Sequence, residues 1–223
     1  MEEMRIVPYA AEREWTAEGI PVLSALVTVP VPEPAAGRTE RRIKRYYQMQ
    51  ARAYLRYCQS LLLPQAVAEY HAALAASAPL PSWRAELRFV ETWREGGLWS
   101  LYTESREVTG PGPALVTRRG DTWDLAEGYP VPLQSFFPGG NAWKKRLIEY
   151  AAAEMERRER AGVSRWHEDW RRRLRRKFNP QNFYLTADGL AFFYPMYALG
   201  PAAEGVPVFT VGYGEIGERG MGT

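Results

Sequence analysis

The stretch FYLTADGLAFFYPMYALGPAAEG, residues 183–205, carries more pattern than any other in the chain. Two runs dense in aromatic residues flank Ala187-Asp188-Gly189, and a Tyr-x-x-Gly-Pro-x-x-x-Gly segment follows from Tyr197 to Gly205. Apolar runs on either side of Asp-Gly predict an antiparallel hairpin, with Gly189 supplying a positive φ at its turn. The aromatic side chains then pair across the two strands, and residues 197–205 form a tight return into a closing strand, PVFTVGY. Architecture alone accounts for this pattern, and no catalytic pair lies inside it.

Immediately upstream, SRWHEDWRRRLRRKF sets seven basic residues against two acids. Trp166, Trp170, Leu174 and Phe178 recur every four residues, which predicts a helix after Gly162 with an apolar stripe and Ser164 as its N-cap. Arg165, Arg171, Arg172, Arg175, Arg176 and Lys177 then fan outward as a candidate surface for an anion or an acidic partner. The same residues also read as a solvated face whose arginine stems cover the edge of the core. A preceding helix has the stripe Trp143, Leu147, Ala151 and Met155.

Further upstream, WRAELRFVETWREGGLWSLYTESREVTGPGPALVTRRGDTWDLAEG reads as a meander of three strands, with turns at Gly96-Gly97 and at Gly110 to Gly112. Before it come two helices. One runs from Thr39 to about Ser60 with the stripe Ile43, Tyr47, Ala51, Tyr54 and Cys58, and Pro64 breaks or restarts it into the other. GIPVLSALVTVPVPEPAAG opens as a strand that its prolines end after Val29.

The chain has 223 residues, 46% of them hydrophobic, enough to build a core in one or two domains. Its net charge is only +3, but residues 38–56 carry +6 and residues 141–178 carry +7. Both segments read as helices, so the basic groups lie on helix faces rather than in a tail. No window approaches the roughly 18 apolar residues of a membrane span, and the start is acidic where a secretory signal is basic. A cytoplasmic protein is the expectation, with an extracellular domain lacking its signal or anchor as the alternative. Cys58 stands alone, which leaves no internal disulfide and no thiolate cluster. His71 and His167 each have carboxylates nearby in sequence but no complete zinc set, and the chain has no nucleophile elbow, Walker loop or His-Glu-x-x-His motif. No metal and no cofactor is expected.

These residues resemble a family of unknown function, the RsiV/PdaC-like domains. The family's pattern of aromatic strand, glycine turn, aromatic strand and Tyr-x-x-Ala/Gly-Pro-x-x-x-Gly is matched at Phe183, Tyr184, Leu185, Gly189, Leu190, Phe192, Tyr194, Tyr197, Gly200, Pro201 and Gly205. Its entry segment is similar to Asp124, Leu125, Gly128, Leu133 and Phe136, and residues before it resemble the partner domain that usually precedes it. The chain departs from the pattern at Thr109 to Ala114, which holds no His, and at Ala198, where relatives often have Glu. The membrane helix and sigma-binding segment of the RsiV regulator are not expected within these 223 residues.

The resemblance implies an α+β fold, with antiparallel sheets and helices packed on one face. Two subdomains are expected, at residues 1–128 and 129–223. Asp188, Gly189, Tyr194, Tyr197, Gly200, Pro201 and Gly205 are then structural motif residues. The implied function is a non-catalytic binding or sensor module for a protein, lysozyme in the RsiV case, or for a cell-wall glycan. The basic helices carry a rival reading, nucleic-acid or anionic-surface binding, and a hydrolase with an unidentified carboxylate pair is a third.

Overall fold

A computed structural model describes residues 4–137, 140 and 142–216, and shows a mixed α+β fold. Residues 217–223 lie outside the described residues. The chain opens with β1 (Arg5–Ala17) and β2 (Ile20–Glu33), which pair antiparallel along their whole lengths. After β2 come α1 (Arg38–Tyr57), a π turn (Cys58–Leu62) and α2 (Leu63–Ala75). The meander is β3 (Trp83–Glu95), β4 (Leu98–Val108) and β5 (Leu115–Asp124), followed by the short β6 (Tyr129–Pro130). A 3-10 turn (Leu133–Phe136) leads to α3 (Trp143–Arg160) and α4 (Trp170–Lys177). β7 (Phe183–Thr186), β8 (Gly189–Phe193) and β9 (Val208–Val211) finish the fold.

The strands form a six-stranded sheet in the order β1 to β6 and a three-stranded sheet in the order β7-β8-β9. One pairing departs from the all-antiparallel expectation. β2 and β3 run parallel from Leu23 opposite Trp83 to Val27 opposite Leu87, because the helical segment between them is a crossover connection. The prolines after Val29 do not end β2 either. Pro30 and Pro32 stand opposite Pro8 and Ile6 of β1, beyond the residues that pair with β3, so fewer backbone donors are needed there.

The chain divides into two interleaved compact units. The first runs to Phe89 and adds Thr103–Val116; the second is Val90–Tyr102 with everything from Thr117 onward.

In the first unit, α1 and α2 are a single helical run with a π turn inserted. Ile43, Tyr47 and Ala51, then Cys58, Leu62, Ala66 and Tyr70, are all buried. A four-residue step overshoots an α-helical turn by about 40°, so such a stripe drifts around the helix. The wider π turn takes up part of that drift. It also gives the Pro64 ring room against the preceding turn, so the proline sits at the start of α2 rather than breaking the run. The core here joins Cys58, Leu62, Ala66 and Tyr70 to Val22, Leu23, Ala25, Trp83 and Ala85.

A polar seam runs beside that core. Gln50 Nε2 donates to Thr103 Oγ1 at 2.8 Å, and Tyr57 OH donates to Glu107 Oε2 at 2.9 Å. Tyr54 OH, between them on the helix, donates to the Glu86 carbonyl at 3.2 Å. Burial pushes the Glu107 carboxyl above its ordinary range and raises Cys58 to about 11 and Tyr57 to about 12.

In the second unit, the core gathers Leu147, Ala151 and Met155 of α3, Trp170 and Leu174 of α4, and Leu185, Leu190, Phe192 and Phe209 of the small sheet. The expected helix over residues 164–178 is shorter than its stripe suggested. It starts at Trp170, and Ser164 and Trp166 lie in the irregular segment before it. Trp83, Trp99 and Trp123 are core residues, at 6%, 0% and 2% exposure.

Candidate functional site

The hairpin at the centre of the sequence pattern forms, with Phe183 opposite Phe192 and Leu185 opposite Leu190. Its two connecting residues are Ala187 and Asp188, so Gly189 is the first residue of β8 and not a turn residue. Gly189 has φ +146°, and a Cβ there would lie 2.1 Å from the Val211 carbonyl oxygen of β9. Glycine is thus required at Gly189 by close backbone approach as well as by its φ.

Further motif residues hold α4 and the segment that precedes it. Tyr194, fully buried, donates from its hydroxyl to the Leu174 carbonyl at 3.0 Å and fixes the last turn of α4. Tyr197 has φ +65°, and its carbonyl stands 3.3 Å from His167 Nε2. Beyond it, the His167 N–H donates to the Leu199 carbonyl at 2.9 Å, and the Arg165 N–H donates to Glu204 Oε1 at 2.7 Å. A Cβ on Gly200 would stand 2.7 Å from the Arg165 carbonyl oxygen. Pro201 precedes the 3-10 turn Ala202–Glu204, which closes at Gly205 with φ +60°.

The basic residues divide into two groups. Arg171 pairs with Glu156 of α3 at 2.9 Å and lies over the Trp170 ring at 4.3 Å. Arg172 and Arg173 both pair with Asp169, at 2.7 and 2.5 Å. Those two guanidiniums, Arg173 foremost, lower the Asp169 carboxyl to about 2, and the side chain does not cap the helix. By contrast, the exposed side chains of Arg165, Arg175, Arg176 and Lys177 have no acid partner among the described residues. Arg171, Arg172, Arg175 and Arg176 line a shallow depression together.

A second feature of the same unit was not read from the sequence. Residues 119–122 of β5, 130–134 and 180–183 line an open cleft of about 460 Å³. Gly120 makes it possible, since a Cβ there would meet the Phe183 carbonyl oxygen at 1.8 Å. One side holds Asp121, whose side chain is only 4% exposed, with Arg119 Nε 3.4 Å away and largely exposed. The other side is a turn in which Asn179 Oδ1 accepts the Gln181 N–H at 3.0 Å, which presents Gln181 and Asn182 to the cleft. Gln134 and the rings of Pro130, Pro132 and Pro180 complete it. The sequence signals were Asn-Pro-Gln-Asn after α4 and the glycine inside Arg-Arg-Gly-Asp, neither of which points to a cleft without its neighbours.

Among the described residues, no group of three or more His, Cys, Asp or Glu side chains is placed to hold a metal ion. No described helix is long and apolar enough to cross a membrane.

Residues 134–214 match the family model described as a protein of unknown function, DUF3298. The chain is similar along 97% of its length to the crystal structure of a DUF3298 family member from Bacteroides fragilis, with a TM-score of 0.71, 15% identity and 94% of that chain covered. It is likewise similar to a DUF3298 family protein from Pseudomonas aeruginosa, with a TM-score of 0.63, 16% identity, and 97% of this chain and 96% of that one covered. These likenesses show the fold. No curated protein matches the chain.

Proposed function

We propose that this chain is a non-catalytic binding module that recognises a cell-wall glycan or a protein, and that the cleft beside Asp121 is its recognition site. The observation that carries the reading is the cleft's lining. A buried carboxylate, a guanidinium and three carboxamides at Gln134, Gln181 and Asn182 surround proline rings. Carboxamides and a carboxylate give paired donors and acceptors for sugar hydroxyls and acetamido groups, while flat proline rings cover sugar C–H faces. Of the two ligand classes, this chemistry favours the glycan. The module boundary between residues 128 and 129 belongs to the same proposal, and the family match at 134–214 falls inside the second module. A cell-wall ligand would put the protein outside the cell.

Calorimetric titration with soluble peptidoglycan fragments and, separately, with lysozyme tests the reading. Fragment binding that is lost in Asn182→Ala and Gln181→Ala supports it, lysozyme binding lost in the same variants moves the ligand to the protein class, and no binding of either contradicts it.

One observation favours a second reading. Arg175, Arg176 and Lys177 are exposed at the end of α4 without acid partners among the described residues, as an anionic-surface or nucleic-acid site requires. Steep loss of affinity with added salt distinguishes that reading from the cleft.

A further inference from the structure

We infer a phosphate-monoester site in the first compact unit, formed by Arg13 and Trp15 of β1 with Arg52, Leu55, Arg56 and Gln59 of the helical run. These six residues line a groove of about 220 Å³. It is independent of the cleft reading, because all six residues belong to the other unit.

Two periodicities build the groove. Arg13 and Trp15 are two apart on a strand and share one face of it, while Glu12 and Glu14 point to the opposite face. Arg52, Leu55, Arg56 and Gln59 follow one another at i, i+3, i+4 and i+7, the spacing of a single helical stripe. Gln59 reaches the groove from the π turn, a departure from α-helical geometry that often accompanies functional sites.

The groove's charge is one-sided. Three guanidiniums line it, no carboxylate does, and none of the three arginines has an ion-pair or hydrogen-bond partner among the described residues. Elsewhere in the chain arginines find acids readily, as Arg157 and Arg158 do with Glu154 at 2.7 Å each. Three like charges around one groove repel each other, and a bound anion converts that repulsion into attraction.

Size and chemistry together select the ligand. The groove is smaller than the roughly 300–1,000 Å³ of pockets for drug-sized molecules, so it suits one anionic group on a small apolar body. A phosphate monoester carries a charge of about −1.5 to −2 at neutral pH and three terminal oxygens, a better match for three arginine forks than a singly charged carboxylate. Partly buried Trp15 and Leu55 supply an apolar wall for the group that the phosphate esterifies.

Calorimetry on the whole chain with phenyl phosphate, benzoate and inorganic phosphate tests the site, alongside sedimentation with vesicles containing phosphatidic acid. Phenyl phosphate should bind saturably, about tenfold or more tighter than benzoate or inorganic phosphate. Arg52→Gln/Arg56→Gln should abolish that binding. Arg38→Gln/Arg45→Gln, which removes the same charge from the same helix outside the groove, should leave it intact. All four arginines are exposed, so both variants should keep the parent's melting temperature. Binding of phenyl phosphate alone assigns the site to free monoesters, and vesicle binding lost only in Arg52→Gln/Arg56→Gln assigns it to a lipid headgroup. The inference is overturned if no probe binds saturably, if benzoate binds as well as phenyl phosphate, or if the two double variants lose binding equally.

Discussion

Ser100 Oγ accepts a 2.8 Å hydrogen bond from the backbone N–H of Leu185 and stands 2.8 Å from Thr122 Oγ1. Leu185 lies in β7, an edge strand of the small sheet, so the hydroxyl takes the place of a missing strand neighbour. Gly120 brings the Phe183 carbonyl of the same strand close to β5. Both residues fix the wall against which the cleft is formed.

Ser100→Ala should therefore destabilise the protein by about 1–3 kcal/mol, because it strands a buried N–H rather than removing a contact of average worth. Urea midpoints of parent and variant measure this, and an unchanged midpoint would show that the amide finds another partner.

Gly189→Ala should destabilise by more than about 1 kcal/mol through its φ alone, with an added clash against the Val211 carbonyl. Ala187→Gly, in the actual turn, should stay within about 1 kcal/mol of the parent. Unchanged stability of Gly189→Ala would contradict the close approach of β8 and β9 at that residue.

Cys58 is fully buried and its thiol is raised to about 11, so native protein should react with a thiol reagent at neutral pH only through unfolding. The reaction rate should rise with urea in parallel with the unfolded fraction. Rapid labelling of the native protein would contradict the burial of Cys58 in the core.

Stability should have opposite pH legs in two places. Glu107 has a folded pKa above its ordinary 4.5, raised first by burial, so its contribution is fully present below that value and is lost as pH rises through the folded pKa. Glu154 is lowered to about 2, first by Arg157, so its contribution is present above 4.5 and is lost as pH falls toward 2. Denaturation midpoints across about pH 2 to 8 should show Glu107→Gln flattening the upper leg and Glu154→Gln the lower one. Identical profiles for parent and variants would refute both assignments.

The paired and unpaired arginines of α4 should behave differently on charge reversal. Arg175→Glu/Arg176→Glu should change stability by no more than about 1 kcal/mol while weakening low-salt binding to heparin. Arg171→Glu places like charge beside Glu156 and should lower the melting temperature more. Stability loss in the first variant larger than in the second would contradict this division of the basic face.

Much of the fold was legible because its signals are local and periodic. Ile43, Tyr47 and Ala51 recur at helical spacing, and Gly96-Gly97 punctuates two long strands, so both are read without knowing their neighbours. β1 was not read, because its residues are mostly exposed and it is a strand chiefly through pairing with β2. The four-residue stripe from Trp166 to Phe178 overstated α4, since Trp166 is held by an indole N–H bond to the Met155 carbonyl at 3.1 Å rather than by helix geometry. The basic residues were visible as composition, but which of them are neutralised depends on Glu156 and Asp169, which only the packing of α3 against α4 reveals. The cleft was invisible for a related reason. Asp121, Gln134 and Asn182 are far apart in sequence and meet only when β5 and β7 approach at Gly120.

The most direct test of the binding-module account is amide chemical-shift mapping on labelled whole chain during titration with soluble peptidoglycan fragments. The account predicts saturable shifts concentrated at residues 119–122, 130–134 and 180–183, persisting at physiological salt and absent in Asn182→Ala. Shifts confined to Arg175, Arg176 and Lys177 that vanish with added salt, or no saturable shifts at all, would contradict it.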